Sequence, residues 1–230
     1  MRVLLFDVFG TVVDWRSSLI DMAEEIALRD GLHADWPAVI DDWRRAYQPA
    51  LDDVRRGTTW RDLDSLQRET LGNVLSQQTI TMSGASQESL VQGWRRLRPW
   101  PDSRNGLERL RRKHVTATLS NGHVALLADL LKFADLRVDA VLSAQLAGSY
   151  KPDAKVYLTA LRLLDCKPEE AGMVAAHAPD LHAAADLGLR PIFVRRPFEW
   201  GQGAPWPAAP PLDGLLVADG LEELATALNC

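Results

Sequence analysis

The chain has 230 residues, 47% of them hydrophobic and 25% charged, with a formal net charge of −5. That length holds one α/β domain or a core with an insertion, and an acidic balance with no Lys/Arg block beyond pairs such as Arg111–Arg112 argues against a nucleic-acid partner. Cys166 and Cys230 form no metal-ligand spacing or disulfide framework, no apolar run reaches the roughly 18–20 residues of a membrane span, and no basic leader precedes the first strand-like run, so a cytoplasmic protein without a membrane partner is predicted.

Val3–Phe6 is a continuous apolar run, the pattern of a strand buried on both faces. Helical patterning follows. Ser18 with Asp21 reads as a capping box, Leu19, Met22, Ala23, Ile26 and Ala27 share a face, and Gly31 marks the stop. Further helical stretches are predicted at 37–55, 59–77 and 86–97, with no strand between them. Trp15, Trp36, Trp43, Trp60 and Trp94 all fall in this part, which ends at the breaker "RPWPDS", 98–103.

Beyond it the rhythm changes. A helix at 103–113 precedes a strand at 115–120, a helix at 122–133 and a strand at 140–144. A helix at 152–165, a strand at 172–176, a helix at 180–187 and strands at 190–194 and 214–218 follow, with a helix closing the chain. The Pro/Gly-rich stretch 195–214 reads as a surface loop. Alternation at this spacing predicts an α/β fold: a doubly wound parallel sheet, Rossmann-like, formed by 1–14 and 99–230. Residues 15–98 are then an inserted all-helical cap over the sheet's carboxyl edge.

In such sheets ligands bind beyond the carboxyl ends of the strands, at the switch in strand order. Asp7, Ser120–Asn121, Lys151 and the segment after Ala176 are therefore predicted to share one rim. A lone carboxylate where a buried strand ends costs several kcal/mol unless something pairs with it or uses it. A turn cap is the plain alternative for Asp7. The convergence of an acid, two hydrogen-bonding side chains, a cation and a second acid favours a nucleophile.

With these residues in place, the sequence resembles the haloacid dehalogenase superfamily, in its 2-haloacid dehalogenase branch with a helical cap. The resemblance rests on Asp7-Val8-Phe9-Gly10-Thr11, Ser120-Asn121-Gly122, Lys151-Pro152 and "VAAHAPD", 174–180. It implies a cofactor-free, metal-free hydrolase of short 2-haloacids, working through a covalent aspartyl ester. Asp7 is then the nucleophile, Thr11 holds its carboxylate, and Lys151 keeps it ionised. Ser120 and Asn121 receive the substrate carboxylate. Arg44 stands near the departing halide, and Phe9 and Tyr157 line the pocket.

Superfamily phosphatases carry a second Asp two residues after the nucleophile, where this chain has Phe9, and bind magnesium through further acids at the fourth motif. Here that motif offers Ala175, Ala176 and His177 before Asp180. Asp180 is assigned to orienting or deprotonating the hydrolytic water, and His177, with an ordinary pKa near 6.5, shares that task. Two other readings stay open: a phosphatase or phosphono-hydrolase of the same superfamily, and a non-catalytic binding protein on this scaffold. Magnesium-dependent phosphate release separates out the first, and ligand retention without turnover the second. The cap also offers a surface for a homodimer.

Overall fold

The computed structural model describes residues 1–57, 59–205 and 207–230. Its strands are β1 (Val3–Phe6), β2 (Val13–Asp14), β3 (Arg98–Pro99), β4 (Val115–Ser120), β5 (Ala140–Ser143), β6 (Ala171–Ala175), β7 (Arg190–Val194) and β8 (Leu216–Ala218). Six of them form one sheet in the order β5-β4-β1-β6-β7-β8, and every neighbouring pair is parallel. The run Val3–Phe6 is wholly buried because it is the central strand, paired with β4 on one side and β6 on the other. From β1 the chain builds outward through β4 and β5, then returns to build β6, β7 and β8 on the opposite side. The switch in strand order therefore lies at the carboxyl end of β1, where Asp7 stands.

The helices are α1 (Trp15–Asp30), α2 (Trp36–Arg55), α3 (Leu63–Gln77), α4 (Gly84–Gln92), α5 (Ser103–Arg111), α6 (Val124–Ala134), α7 (Ala154–Leu163), α8 (Ala178–Asp186) and α9 (Leu221–Ala227). The first four, with a 3-10 turn at Gly93–Arg95, form the helical stretch between β2 and β3. Asp14, Asp35 and Asp62 open α1, α2 and α3, each accepting a backbone N–H of the first turn. A carboxylate there satisfies an orphan donor and complements the positive end of the helix.

Two local readings are corrected. The predicted capping box at Ser18 lies inside α1, which Asp14 caps through Ser17 N at 3.0 Å. The Ser18 hydroxyl instead donates to Asp14 O at 2.6 Å and accepts the Arg98 N–H at 2.9 Å. That tie supports β2 and β3, an antiparallel ribbon of two residues a side where the chain enters and leaves the helical stretch. Two residues are too few to show a period, so the ribbon left no pattern in the sequence. The stretch 195–214 is also not simply a surface loop. Arg196 and Glu199 are only 6% and 3% exposed. The Arg196 guanidinium donates to Thr11 O at 2.8 Å and grips Asp102 with two bonds of 2.7 and 3.0 Å. The chain after β7 is thereby folded back over the loop after β1; Trp206, further along it, lies outside the described residues.

An aromatic cluster joins the helical stretch to the rim. Trp94 stacks near-parallel on Trp15 at 6.4 Å and meets Trp43 and Phe9 edge-on at 5.7 and 5.2 Å. Trp15, Trp43 and Trp94 are fully buried, and such pairs add about 0.5–1.5 kcal/mol each beyond area burial. No helix among the described residues is long and apolar enough to cross a membrane.

Candidate active site

Asp7 follows β1, and its own N–H extends the β1–β6 ladder by donating to Val174 O at 3.0 Å. The chain then turns sharply through Gly10, at φ +85°, so Thr11 comes back under the carboxylate. The Thr11 hydroxyl donates to Asp7 Oδ2 at 2.7 Å and accepts the Ala176 N–H at 2.9 Å. One small side chain thus pins the nucleophile candidate to the ends of two neighbouring strands.

On one flank stands Lys151, beyond the edge strand β5. Its Nζ lies 2.9 Å from Asp7 Oδ1 and 2.5 Å from Asp180 Oδ2. The other Asp180 oxygen accepts the Tyr157 hydroxyl. Asp180 lies in the first turn of α8, where the helix end favours an anion. Burial alone would neutralise these groups. Burial pulls the Lys151 ammonium down, but Asp180 and Asp7 outweigh it and hold the ammonium above its ordinary range. For Asp7 burial pushes upward, but Lys151 and His177 outweigh it and hold the carboxyl well below the usual carboxylate range. Asp180, pushed up by burial and by Asp7, rises despite Lys151 and Tyr157.

On the opposite flank stands His177, between β6 and α8. Its Nδ1 is 3.1 Å from Asp7 Oδ2, and its Nε2 is 2.9 and 3.1 Å from the two oxygens of Glu199. Glu199 Oε1 also accepts the Trp15 indole N–H at 2.9 Å. Both ring nitrogens face carboxylates, so both carry protons and the imidazole is a cation. Burial works against that charge, but Glu199 and Asp7 prevail and lift His177 to about 10. The ordinary value near 6.5 used in the sequence reading therefore does not hold in the resting site. Burial pushes Glu199 up, but His177 outweighs it and keeps the carboxyl below its usual value.

Glu199 was missed because it falls inside a stretch rich in Pro and Gly. The available signal was its place five residues past β7, whose carboxyl end belongs to the same rim. Gly10 registers the same contact: a Cβ there would come within 2.2 Å of Glu199 Oε1.

These groups open onto a cavity of about 390 Å³. Asp7, Phe9, Asn121, Lys151, His177 and Asp180 all reach its wall. Arg44 comes in from α2, its guanidinium 4.5 Å from the Tyr47 ring centre and 5.2 Å from that of Trp15. Its Nη1 is buried without a hydrogen-bond partner, a donor left for an anion. Arg45 also borders the cavity but pairs with Asp42 at 2.7 Å. Asn121 Oδ1 accepts the Lys151 N–H at 2.8 Å, which turns its amide N–H groups toward Tyr47 and the cavity. Ser120 is wholly buried behind the wall, accepting the Gly122 N–H at 3.2 Å. Tyr157 is likewise set back, behind Asp180. Trp43 belongs to the helical core, donating to Gln67 O at 3.0 Å, and Trp60 stacks on Tyr150.

Among the described residues, no group of three or more His, Cys, Asp or Glu side chains is placed to hold a metal ion. Residues 1–188 match the family described as haloacid dehalogenase-like hydrolase. The chain therefore belongs to the haloacid dehalogenase-like hydrolases, in their 2-haloacid dehalogenase branch. It is 28% identical over 202 residues to (S)-2-haloacid dehalogenase 4A of Burkholderia cepacia, a match spanning 85% of this chain and 84% of that protein. The solved structure of L-2-haloacid dehalogenase PA0810 is similar over 100% of this chain and 99% of its own, with 42% identity and a TM-score of 0.94. That of the defluorinating L-2-haloacid dehalogenase Rha0230 covers 100% and 96%, with 35% identity and a TM-score of 0.96.

Proposed function

We propose that the protein hydrolyses the carbon–halogen bond of short (S)-2-haloalkanoic acids through an Asp7 ester, giving 2-hydroxy acids. The observation that carries this reading is the setting of Asp7, an ionised carboxylate on the cavity wall with the apolar ring of Phe9 two residues on. A halide leaves without a proton, so a nucleophile is required there and an acid is not. Asp7 attacks the halogen-bearing carbon in line, which splits one hard displacement into two easier steps. Lys151 holds the carboxylate ionised and stabilises negative charge as water adds to the ester. The free Arg44 donor, over aromatic rings that exclude water, receives the departing halide. Asn121 offers its amide to the substrate carboxylate, while Asp180 and His177 flank the ester that water must open. The names of the relatives supply the (S) hand.

A magnesium-dependent phosphatase fits these residues poorly. Mg²⁺ needs oxygen ligands at about 2.0–2.1 Å in octahedral array. The Lys151 ammonium already sits between Asp7 and Asp180, bonded to both, and the Phe9 side chain offers no oxygen. We therefore assign no step to a metal. The test is halide release from a panel of fluoro-, chloro- and bromo-2-alkanoic acids of both hands, with and without EDTA. Release from the (S) acids, unchanged by chelation, is expected. Phosphate release that vanishes with EDTA and returns with Mg²⁺ would replace this reading with the phosphatase.

A further inference from the structure

The cavity has a floor and a mouth, and they differ in exposure. Asp7, Phe9 and Lys151 on its wall are buried, whereas Arg45, Gln48, Pro179 and Trp200 border it and are exposed. Among the aromatic side chains on the wall, Phe9 and Tyr47 are 3% and 8% exposed, but Trp200 is 38% exposed. We propose that Trp200, held across the mouth by Arg45 of α2, is the residue that limits the substrate to a short alkyl chain. The proposal rests on the dehalogenase reading above and adds to it which residue sets the chain length.

Trp200 is fixed by the chain on both sides of it. Before it, Glu199 is bonded to His177 and Trp15, and Arg196 grips Asp102. After it, the chain turns through Gly201 at φ +89°, where a Cβ would lie 2.7 Å from Arg16 Nη1. Arg16 is itself gripped by Asp41 with bonds of 2.7 and 3.0 Å. The Trp200 ring meets Trp15 edge-on at 5.1 Å, and the Arg45 guanidinium stands 5.8 Å from the ring centre. That is within reach of the attraction between a cation and an aromatic face. Arg45 is braced by Asp42, which also accepts the Gln78 amide at 2.9 Å. Arg16 and Arg45 of the helical stretch, each backed by an aspartate, thus clasp the Trp200–Gly201 turn of the α/β core. An exposed indole held in this way serves as a wall.

The other walls either have a task already or cannot recede. The halogen goes to Arg44 and the carboxylate to Asn121. Phe9 packs edge-on against Trp94 at 5.2 Å, and a Cβ on Gly122 would come within 3.1 Å of its Cζ. The alkyl group on the reacting carbon is therefore left to face the mouth, where Trp200 stands. A methylene gained or lost against an apolar wall is worth roughly tenfold or more in kcat/KM, so one indole can divide three-carbon acids from six-carbon ones.

The test is competition between (S)-2-bromopropanoate and (S)-2-bromohexanoate in one mixture, with the two hydroxy acids measured by chromatography. The product ratio gives the ratio of the two kcat/KM values and does not depend on how much of a preparation is folded. The parent is expected to favour the three-carbon acid strongly. Trp200→Ala is expected to raise the long-to-short ratio by about tenfold to a hundredfold. Trp200→Leu, which keeps an apolar side chain for packing, is expected to shift it the same way by less. Arg45→Met keeps the stem but removes the cation from the ring, and is expected to raise the ratio by about twofold to fivefold. A rim charge that only draws anions in would change both acids alike and leave the ratio where it was, so an unmoved ratio in Arg45→Met overturns the part given to Arg45. A ratio unchanged in Trp200→Ala and Trp200→Leu, or a parent that takes both acids equally, overturns the proposal and leaves the dehalogenase reading standing. A parent that forms neither hydroxy acid overturns both.

Discussion

The two flanks of Asp7 repeat one plan with different chemistry. On one side an ammonium bridges Asp7 to Asp180, and Asp180 is held by the Tyr157 hydroxyl. On the other an imidazolium bridges Asp7 to Glu199, and Glu199 is held by the Trp15 indole N–H. The lysine is 6% exposed and the histidine 32%. A fixed cation suits the task that never changes, keeping the nucleophile ionised. An imidazole, which can give up a proton, suits the task proposed for its flank, helping water to open the ester. Preorganised charge and a movable proton are thus given to opposite sides of one carboxylate.

The sharpest way to break this comparison is to remove the fixed side. Lys151→Met leaves two buried carboxylates without their shared cation, and losing one partner of a buried ion pair costs about 3–5 kcal/mol. Urea denaturation at neutral pH is expected to show that loss, with turnover down by on the order of 10³-fold. A variant as stable as the parent would mean that Asp7 and Asp180 do not depend on the Lys151 charge in the folded protein.

The titratable side is expected to give a smaller, pH-dependent effect. The folded His177 value of about 10 lies above its ordinary 6.5. Its contribution to stability is therefore complete below 6.5 and is lost as pH rises towards 10. The exposed part of the ring is screened by solvent, which reduces the size of the effect. Denaturation midpoints measured across that window should fall with pH in the parent and fall less in His177→Gln. Equal slopes would remove His177 from the charge network and leave the two flanks unalike in kind.

The legibility of these flanks in the sequence differs for physical reasons. Strands and the Lys151 side could be read because apolar runs and short motifs are local patterns: Val3–Phe6 announces a two-faced strand, Asp7 follows it directly, and Lys151 stands before Pro152 in the segment after β5. Asp180 came with them, being the fourth residue after Ala176. Glu199 could not be read so, because its burial depends on Arg196 gripping Asp102 and Thr11, 94 and 185 residues away. The charge state of His177 was hidden for the same reason, since an ordinary pKa ignores a partner brought in by the fold. Arg44 was named through the resemblance alone, next to a second arginine; the fold lays Arg44 over aromatic rings and leaves Arg45 to Asp42.

The most direct test of the account is where solvent oxygen goes in the first turnover. With enzyme in excess in H₂¹⁸O, water is expected to attack the Asp7 carboxyl carbon, so the product hydroxyl carries the original Asp7 oxygen. Mass spectrometry should then find ¹⁸O in the peptide that contains Asp7 and none in the first-turnover product. Label in the product and none in the peptide would mean that water attacks the substrate directly. Asp7 would then be a general base and not a nucleophile, which contradicts the account at its centre.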